Sequence, residues 1–304
     1  MVPGTILVTG ASGLLGSNFV LTAKKRSYKI VALYHTHPLE FPGGKVVKID
    51  LRNGPFVKKL IREYHPDWIV HCAALTNVDW CETHRDETWK LNVEVTRQIA
   101  SIARDNGVGL VYISSDSIFD GRLGCYLEES MPAPLNIYAE SKLAGEKAVL
   151  DELNCSLIVR TNIYGWNAKN KESLAEWILR RLETGQLVPG FYDILFTPIF
   201  VGDLSEIILD MMKLELKGVY HVAGSQVCSK YEFAVQLAAT FGLNRELVQP
   251  ATAADSKELI AMRPGNTSLR TDKISAALGR GMPDIEAGLM RFKALRNNAR
   301  MVRN

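Results

Sequence analysis

The sequence has little cysteine and no strong excess of charge of either sign. Its five cysteines are odd in number and form no C-x-x-C pair, which argues against a disulfide framework and favours reduced thiols in a cytoplasmic protein. The 36 basic residues nearly balance the 33 acidic ones, so the charge gives no support for a nucleic-acid or membrane-surface partner.

Long apolar runs and metal-ligand clusters are lacking as well. No apolar run approaches the length of a membrane span. A strand pattern begins at Thr5, which leaves no room for a signal peptide. Cys81 and His84 have the spacing of a metal-ligand pair, but no second pair accompanies them. An ordinary helix start is therefore the stronger interpretation, and we expect no bound metal.

The sequence does contain short β-rich runs that alternate with helical patterns, as in a parallel sheet covered on both faces. The predicted strands are 5–9, 30–34, 46–49, 68–71, 110–114, 156–160 and 218–222. The predicted helices are 14–23, 56–64, 87–105, the segment carrying residue 142, 174–182, 203–212, 231–241 and 284–292. The stretch 185–198 is predicted to be irregular, and the basic tail 296–304 to be mobile.

These elements predict an α/β fold, a Rossmann-type doubly wound parallel sheet with a smaller discontinuous C-terminal substrate lobe. We expect residues 1–162 plus about 193–224 to form the dinucleotide-binding domain. The substrate lobe would then comprise about 163–192 plus 225–304.

A glycine-rich turn follows the first predicted strand and opens the first helix. Glycines at this spacing are weak evidence alone, but the strand–turn–helix context is that of a dinucleotide site, with a plain structural turn as the lesser alternative. Gly10 would allow the tight turn, Gly13 the approach of the pyrophosphate, and Gly16 the packing of the helix on the sheet. The predicted cofactor contacts in this turn are Gly10, Ser12, Gly13, Leu14, Leu15 and Gly16.

The end of the second predicted strand distinguishes the two nicotinamide cofactors. An NAD site usually has Asp or Glu there for the ribose 2′-hydroxyl, whereas this chain has Tyr34-His35-Thr36-His37-Pro38. No carboxylate follows this strand to repel a 2′-phosphate, so we predict NADPH in preference to NADH, bound by Tyr34, His35 and Thr36. Two solvated loop histidines are the competing interpretation. Asp50 and Leu51, after the third strand, are expected at the adenine.

A hydroxyl group and a Tyr-x-x-x-Lys pair form the predicted catalytic set. Tyr138 and Lys142 lie four residues apart on a predicted helix, so they share one face. A phenol has a pKa of about 10, which a neighbouring ammonium lowers. Tyr138 would protonate a carbonyl oxygen while Ser115 donates a second hydrogen bond to it. The pair is common by chance, and it gains weight because it follows a strand that ends at Ser115 in a chain that begins with the glycine turn.

These motifs give the chain a resemblance to the extended short-chain dehydrogenase/reductases, and within them to the dTDP-4-dehydrorhamnose reductase family. The resemblance spans nearly the whole chain, and the late Arg-Pro-x-Asn segment is its most specific part. The matching segments are 7–16, 70–74, 91–93, 112–116, 119–121, 132–136, 138–146, 201–204, 218–224 and 263–269.

The resemblance implies roles for further residues. Asn92 is expected to support the catalytic lysine and its water, and Lys142 to reach the nicotinamide ribose. Cys72, Ala73 and Ala74 are expected to line the cofactor channel. Ser115, Asp116, Trp166 and Arg263 are the expected substrate contacts, with a surface salt bridge as an equal alternative for Arg263.

The implied function is NADPH-dependent reduction of a 4-keto-6-deoxy sugar nucleotide, with Tyr138 as proton donor. Two departures leave the sugar less well specified: Ser117 replaces a frequent tyrosine, and the family's tryptophan near Ile163 is absent, with Trp166 displaced from it. A dehydratase would need an acid where Ser117 lies. An epimerase keeps the same catalytic set and stays open, as does a dinucleotide-binding subunit that resembles the regulatory subunit of methionine adenosyltransferase. A homodimer is also left open.

Overall fold

The computed structural model describes residues 4–38, 41, 43–168, 171–254, 256 and 259–296. The predicted mobile tail therefore lies outside the described residues, apart from its first residue. In chain order the strands are β1 Thr5–Thr9, β2 Lys29–Tyr34, β3 Lys45–Lys48, β4 Trp68–His71, β5 Gly109–Ile113, β6 Leu157–Arg160, β7 Ile163–Tyr164, β8 Val188–Phe191, β9 Leu195–Phe196, β10 Ile199–Phe200, β11 Gly218–His221, β12 Cys228–Ser229 and β13 Val248–Ala251.

The α-helices alternate with these strands in the first half of the chain and are interspersed with short strands in the second. They are α1 Leu14–Lys25, α2 Gly54–Tyr64, α3 Val78–Thr83, α4 Arg85–Trp89, α5 Val95–Asp105, α6 Ile137–Glu152, α7 Leu174–Glu183, α8 Val201–Lys213, α9 Lys230–Phe241, α10 Asp272–Leu278 and α11 Ile285–Ala294. Within the described residues, no helix is long and apolar enough to cross a membrane.

A seven-stranded sheet has the order β3-β2-β1-β4-β5-β6-β11. The pairs from β3 to β6 are parallel, and Ile6 at the centre lies opposite Ile30 on one side and Trp68 on the other. This order places the reversal of connection between β1 and β4, where doubly wound sheets bind their ligands at the carboxyl ends of the strands. The predicted Rossmann-type fold is confirmed.

Local sequence explains why the flanking helices form where they do. Asn53 caps α2 by accepting a hydrogen bond from Phe56 N at 3.2 Å, and Pro55 occupies the first turn. The helix then buries Val57, Leu60 and Ile61 against the sheet, in a core cluster to which β1, β2 and β4 also contribute. Burial of this apolar face stabilises the helix more than its intrinsic propensity does.

The structure differs from the predicted elements in several places, and α10 and the short strands β7, β10, β12 and β13 were not predicted. The single helix predicted over 87–105 is interrupted by a five-residue π-helix, Lys90–Glu94, between α4 and α5. The stretch predicted to be irregular contains β8 and β9, which pair with β13 and β12. Helix α3 was not predicted, because six residues are too few to show a helical period.

The chain divides into two compact units. The first comprises Met1–Ser115, Ile137–Val159 and Ser205–Val219, and contains most of the seven-stranded sheet. The second comprises Asp116–Asn136, Arg160–Leu204 and Tyr220–Asn304, and contains three two-stranded sheets. The domain boundaries expected from the sequence stay a prediction; they differ from this division chiefly in residues 116–136 and 193–204.

Candidate functional site

The glycine turn between β1 and α1 has the backbone geometry of an anion-binding corner. Gly10 has a φ angle of +61°, and a Cβ atom there would lie 2.7 Å from the backbone of Ala73. Both the conformation and the close approach therefore require glycine. A Cβ atom on Gly16 would lie 2.2 Å from Gly10 O, whereas one on Gly13 would meet only that oxygen, at 3.3 Å.

Helix α1 begins at this turn without a side-chain cap. Gly13 is the N-cap and is exposed, and no acidic residue lies in the first turn. The first N–H groups of a helix have no intrahelical acceptor and carry the positive end of its dipole. Ser12 and Leu14 are partly exposed beside them, while Leu15 is buried. This corner fits the pyrophosphate of a dinucleotide.

A cavity of about 310 Å³ lies in the first unit at the carboxyl ends of β1 to β4. Its position is the one at which doubly wound sheets bind the adenosine half of a dinucleotide. Six predicted cofactor residues line it: Gly10, Tyr34, His35, Asp50, Leu51 and Ala73. Residues that the sequence had not predicted as cofactor contacts line it as well, among them Arg52, Leu75, Trp80, Glu87 and Lys90.

The charged groups of this cavity centre on an ion pair between Asp50 and Arg52. Arg52 Nε lies 2.9 Å from both carboxylate oxygens, and Arg52 Nη2 lies 2.5 Å from Oδ2. This hydrogen-bonded guanidinium lowers the pKa of Asp50 to about 2. His35 Nε2 lies 3.9 Å from Asp50 Oδ2, and Thr36 is exposed and contacts only His35 among its described side-chain partners. The cavity thus has a carboxylate after β3, already neutralised by a neighbouring cation.

A buried chain of hydrogen bonds supports the floor of the cavity. Thr9 Oγ1 lies 2.7 Å from His71 Nδ1 and accepts from Ala73 N at 3.3 Å, while His71 Nε2 lies 3.1 Å from Thr96 Oγ1. Thr96 in turn donates to the Asn92 carbonyl at 2.9 Å. Burial, reinforced by the charge of Lys142, lowers the pKa of His71 to about 3. The His71 imidazole is therefore uncharged at every physiological pH, and its role is to link Thr9 and Thr96 by hydrogen bonds.

Asn92 lies in the π-helix, a distortion often found at functional positions. Its side chain accepts from Leu75 N at 2.8 Å and donates to Leu75 O at 3.0 Å. The same amide donates to Ser141 Oγ at 2.9 Å, next to the predicted catalytic lysine. No hydrogen bond joins Asn92 to Lys142 within the described residues, so Asn92 fixes the backbone around the lysine.

Helix α6 carries Tyr138 and Lys142 and packs on the end of β5, which leads into Ser115. The Lys142 side chain is 3% exposed, and its Nζ atom lies 4.2 Å from the centroid of the Tyr112 ring. Burial lowers the pKa of Lys142 to about 7, and the charge of Glu146 opposes this change. Within the part of the chain that the structure describes, this ammonium has no hydrogen-bond acceptor.

Ser115 is brought to the same end of α6. The preceding residue, Ser114, donates to Glu146 Oε1 at 2.5 Å, one turn after Lys142 on α6. Ser115 itself is 6% exposed, and Tyr138 is partly exposed at the first turn of α6. The first unit therefore contains all three predicted catalytic residues, and α6 contacts the end of β5 through Lys142 with Tyr112 and through Glu146 with Ser114.

The other predicted cofactor residues follow β4. Cys72, Ala73 and Ala74 are all partly buried. Burial raises the pKa of the Cys72 thiol to about 12, so this cysteine is a neutral lining group and no nucleophile. Among the described residues there is no group of three or more His, Cys, Asp or Glu side chains that could hold a metal ion.

The predicted substrate residues beyond Ser115 lie in the second unit. Asp116 is 1% exposed, and its Oδ2 atom accepts from Thr267 Oγ1 at 2.6 Å and from Asn162 Nδ2 at 2.8 Å. A carboxylate held in this way has a fixed orientation. The sequence had not singled out Thr267 as a partner of Asp116, because 151 residues separate them.

Trp166 and Arg263 make contacts within the second unit. The Trp166 indole donates to Phe292 O at 2.8 Å, and its ring packs 4.3 Å from the Phe292 ring. The Arg263 guanidinium donates to Ala261 O at 2.9 Å. These contacts place Trp166 in an aromatic core cluster, and the substrate roles of both residues stay predictions.

The comparisons with known proteins agree with this geometry. The family model described as the RmlD substrate binding domain matches residues 4–296. Among solved structures, dTDP-4-dehydrorhamnose reductase from Bacillus anthracis str. Ames, in complex with NADP, is 30% identical with a TM-score of 0.85; the alignment covers 96% of this chain and 99% of that one. A hypothetical dTDP-4-dehydrorhamnose reductase from Sulfolobus tokodaii is 31% identical with a TM-score of 0.82, over 93% and 98%.

Two kinds of curated relative are also similar to the chain. A probable low-salt glycan biosynthesis reductase, Agl14, from Haloferax volcanii is 30% identical over 291 residues, which cover 94% of this chain and 96% of that protein. The methionine adenosyltransferase 2 subunit beta of Pongo abelii is 33% identical over 277 residues, which cover 88% and 81%.

Proposed function

The chain belongs to the RmlD substrate binding domain family, and from this we propose that it is an NADPH-dependent reductase of a 4-keto-6-deoxy sugar nucleotide such as dTDP-4-dehydrorhamnose. Its family makes it an oxidoreductase that uses a nicotinamide dinucleotide. One observation carries the finer assignment: Lys142, buried and without an acceptor, lies one helical turn from Tyr138 and beside the strand that leads to Ser115.

The catalytic roles follow from the chemistry of these three groups. NADPH, when bound, supplies the hydride to the keto carbon. Tyr138 gives its phenolic proton to the keto oxygen, and Ser115 donates a second hydrogen bond to the same oxygen as negative charge develops there. Lys142 donates to the ribose hydroxyls of the cofactor, and its positive charge favours the phenolate that Tyr138 becomes.

The surroundings of Lys142 keep it in this role. Burial alone would drive the amine towards its neutral form, whereas Glu146, one turn further along α6, favours the ammonium. Ser114 holds Glu146 by a hydrogen bond of 2.5 Å, so the carboxylate has a fixed position. The lysine therefore titrates near neutral pH, where a proton-transfer site works best.

The proposed preference for NADPH rests on the cavity at the ends of β2 and β3. No carboxylate lies at the end of β2, and the carboxylate of Asp50 is paired with Arg52. A 2′-phosphate would therefore meet a guanidinium and the exposed imidazole of His35 without an unpaired negative charge. Arg52 is the additional phosphate ligand that this arrangement suggests.

The test is a substrate screen that follows the loss of NADPH absorbance with dTDP-4-dehydrorhamnose and several other 4-keto sugar nucleotides. The proposal expects NADPH consumption that depends on one of these sugars, and a product that carries a new hydroxyl group. An epimerase would instead change the sugar without consuming NADPH. Absence of turnover with every sugar, despite tight dinucleotide binding, would contradict the reductase assignment.

A second candidate function has its own observation. Relatives named methionine adenosyltransferase 2 subunit beta are about as similar to this chain as the reductases are. A dinucleotide-binding regulatory subunit would bind NADPH without reducing a sugar, and would copurify with a partner enzyme. The same screen, together with a pull-down from the native cell extract followed by identification of the partner, distinguishes the two functions.

A further inference from the structure

A tryptophan lines the cavity of the first unit, although the proposed mechanism gives it no role. Trp80 lies on α3, is partly buried, and borders the cavity at the carboxyl ends of β1 to β4. It is the largest aromatic side chain of the lining. Most of the remaining apolar lining is aliphatic and comes from Leu33, Ile49, Leu51, Leu75 and Leu91.

The indole of Trp80 is held in place by neighbouring residues of the same segment. The imidazole of His84 stacks on the indole, with ring centroids 4.0 Å apart and an angle of 4° between the ring planes. His84 Nδ1 also donates to the Trp80 carbonyl oxygen at 3.0 Å, because a carbonyl oxygen can only accept. The Asn77 side chain caps α3 by accepting from Trp80 N at 3.1 Å. The backbone and the ring of Trp80 are therefore both fixed by hydrogen bonds and stacking.

The short helix that carries Trp80 is anchored to a loop that lines the same cavity. Cys81 is fully buried, and its thiol donates to Leu75 O at 3.7 Å. The Asn92 side chain fixes the same residue from the other side of the loop sequence, through Leu75 N and Leu75 O. Trp80 and Leu75 therefore form one continuous wall of the cavity, in which the indole has a set position.

A fixed indole beside a cavity suits a flat aromatic ligand. His84 covers one face of the Trp80 indole, so a ligand in the cavity meets the other face or an edge. Aromatic side chains bind nucleotide bases by stacking, and they gain from the burial of a large apolar surface. At this place in a doubly wound sheet the bound group is the adenosine half of a dinucleotide, so the base is adenine.

We propose that Trp80 is an adenine-binding residue, whose indole packs against the adenine ring of the dinucleotide. The inference rests on the proposed function only in taking a nicotinamide dinucleotide as the ligand of this cavity. It adds a contact to the base, whereas Arg52 and His35 are assigned to the 2′-phosphate. The indole therefore contributes equally to the binding of NADPH and NADH, because both carry adenine.

The test is calorimetric titration of the wild type, Trp80→Ala and Trp80→Phe with three ligands. These are NADPH, NADH and 2′,5′-ADP, which has the adenine, its ribose and the 2′-phosphate but no nicotinamide. Loss of one contact between base and indole should weaken the binding of all three ligands to Trp80→Ala by roughly five- to a hundredfold. The ratio of the NADPH and NADH affinities should stay as in the wild type. Trp80→Phe keeps an aromatic face and should retain most of the affinity.

The matched control is Trp89→Ala. Trp89 is also partly buried in the first unit, but its ring lies against Arg85, whose guanidinium carbon is 5.5 Å from the ring centroid. Trp89 is not among the described residues that line the cavity, so its replacement should leave all three affinities unchanged. Thermal midpoints without ligand report whether either change disturbs folding. If Trp80→Ala does not fold, Trp80→Leu, which keeps apolar volume without an aromatic face, takes its place.

Unchanged affinities in Trp80→Ala overturn the proposal. A loss confined to NADPH and NADH also overturns it, because the indole would then act on the nicotinamide half. A loss confined to NADPH and 2′,5′-ADP would assign Trp80 to the 2′-phosphate and overturn it as well. A wild type that binds none of the three ligands refutes it together with the proposed function. A wild type that binds NADPH but reduces no sugar refutes the reductase function alone, and the three affinities still judge Trp80.

Discussion

Replacing Lys142 by methionine should stabilise the protein without cofactor while removing its activity. Methionine keeps most of the length and apolar volume of the side chain but removes the buried ammonium, whose Nζ atom lies 4.2 Å from the centroid of the Tyr112 ring. The wild-type ammonium has no acceptor within the described residues. We propose that this ammonium binds a ligand, so its cost in the free protein is uncompensated.

The pKa of Lys142 sets the size of the effect. It is about 7 in the folded protein against 10.5 for an ordinary lysine. At pH 7 this difference lowers the free energy of unfolding by roughly 4 kcal/mol. Removing the ammonium also loses its cation–π contact with Tyr112, which offsets about 1 to 2 kcal/mol of the stability gained. We therefore expect a net stabilisation of roughly 2 kcal/mol, or about 4 °C in the thermal midpoint.

The sign of the pH dependence identifies the cause. Between pH 10.5 and about 7 the unfolded chain binds a proton at Lys142 that the folded protein does not, so wild-type stability falls as the pH falls. Below pH 7 both states bind the proton and the penalty is constant. The advantage of Lys142→Met should therefore grow from pH 10 to pH 7 and then level off.

Thermal unfolding across this pH range, with and without NADPH, is the assay. Lys147→Met is the matched control, because Lys147 lies on the same helix but is exposed, and should show no such trend. NADPH should raise the midpoint of the wild type more than that of Lys142→Met, because only the wild type can donate from an ammonium to the ribose. A variant that is less stable than the wild type at pH 7, or an advantage independent of pH, would refute the reasoning.

Three further predictions concern the same site. Tyr138→Phe should reduce turnover by roughly a hundred- to ten-thousandfold with NADPH affinity nearly unchanged, as measured by steady-state rates and a fluorescence titration; retention of most of the rate would refute Tyr138 as the proton donor. Gly13→Val should abolish dinucleotide binding yet leave the circular dichroism spectrum unchanged. Gly16→Val should disturb folding, because a Cβ atom there would lie 2.2 Å from Gly10 O. An unfolded Gly13→Val protein would show that Gly13 is mainly structural. The wild type should bind NADPH more tightly than NADH. Arg52→Ala should reduce this difference in affinity, because it frees the Asp50 carboxylate for a 2′-hydroxyl. Equal affinities in the wild type would contradict the proposed cofactor preference.

The fold was predictable because its signals are local and repeated. The central strands are short apolar runs, and most are followed by a helix, one of which has a clear start signal in Asn53 before α2. The π-helix was not predictable, because its residues continue the helical pattern on both sides. The short strands β8 and β9 were missed for another reason: their partners, β13 and β12, lie far along the chain, and no local period reports such a pairing.

The site was predictable where backbone chemistry dictates the residue. Gly10 and Gly16 are required by a positive φ angle or by atoms within 3 Å, and such demands leave a visible motif. Arg52 was missed because its importance comes from pairing with Asp50 at the mouth of a cavity, and a sequence shows the two charges but not the cavity.

A comparison of Lys142 with Lys230 shows that a sequence motif marks only some of the residues with unusual surroundings. Lys142 and Lys230 share three properties: each is at least partly buried, each lies over an aromatic ring, and neither has an acceptor in the described structure. Only Lys142 belongs to a motif, so only Lys142 was found from the sequence. Only the geometry shows that Lys230 is also an ammonium over an aromatic ring, because no sequence motif marks it.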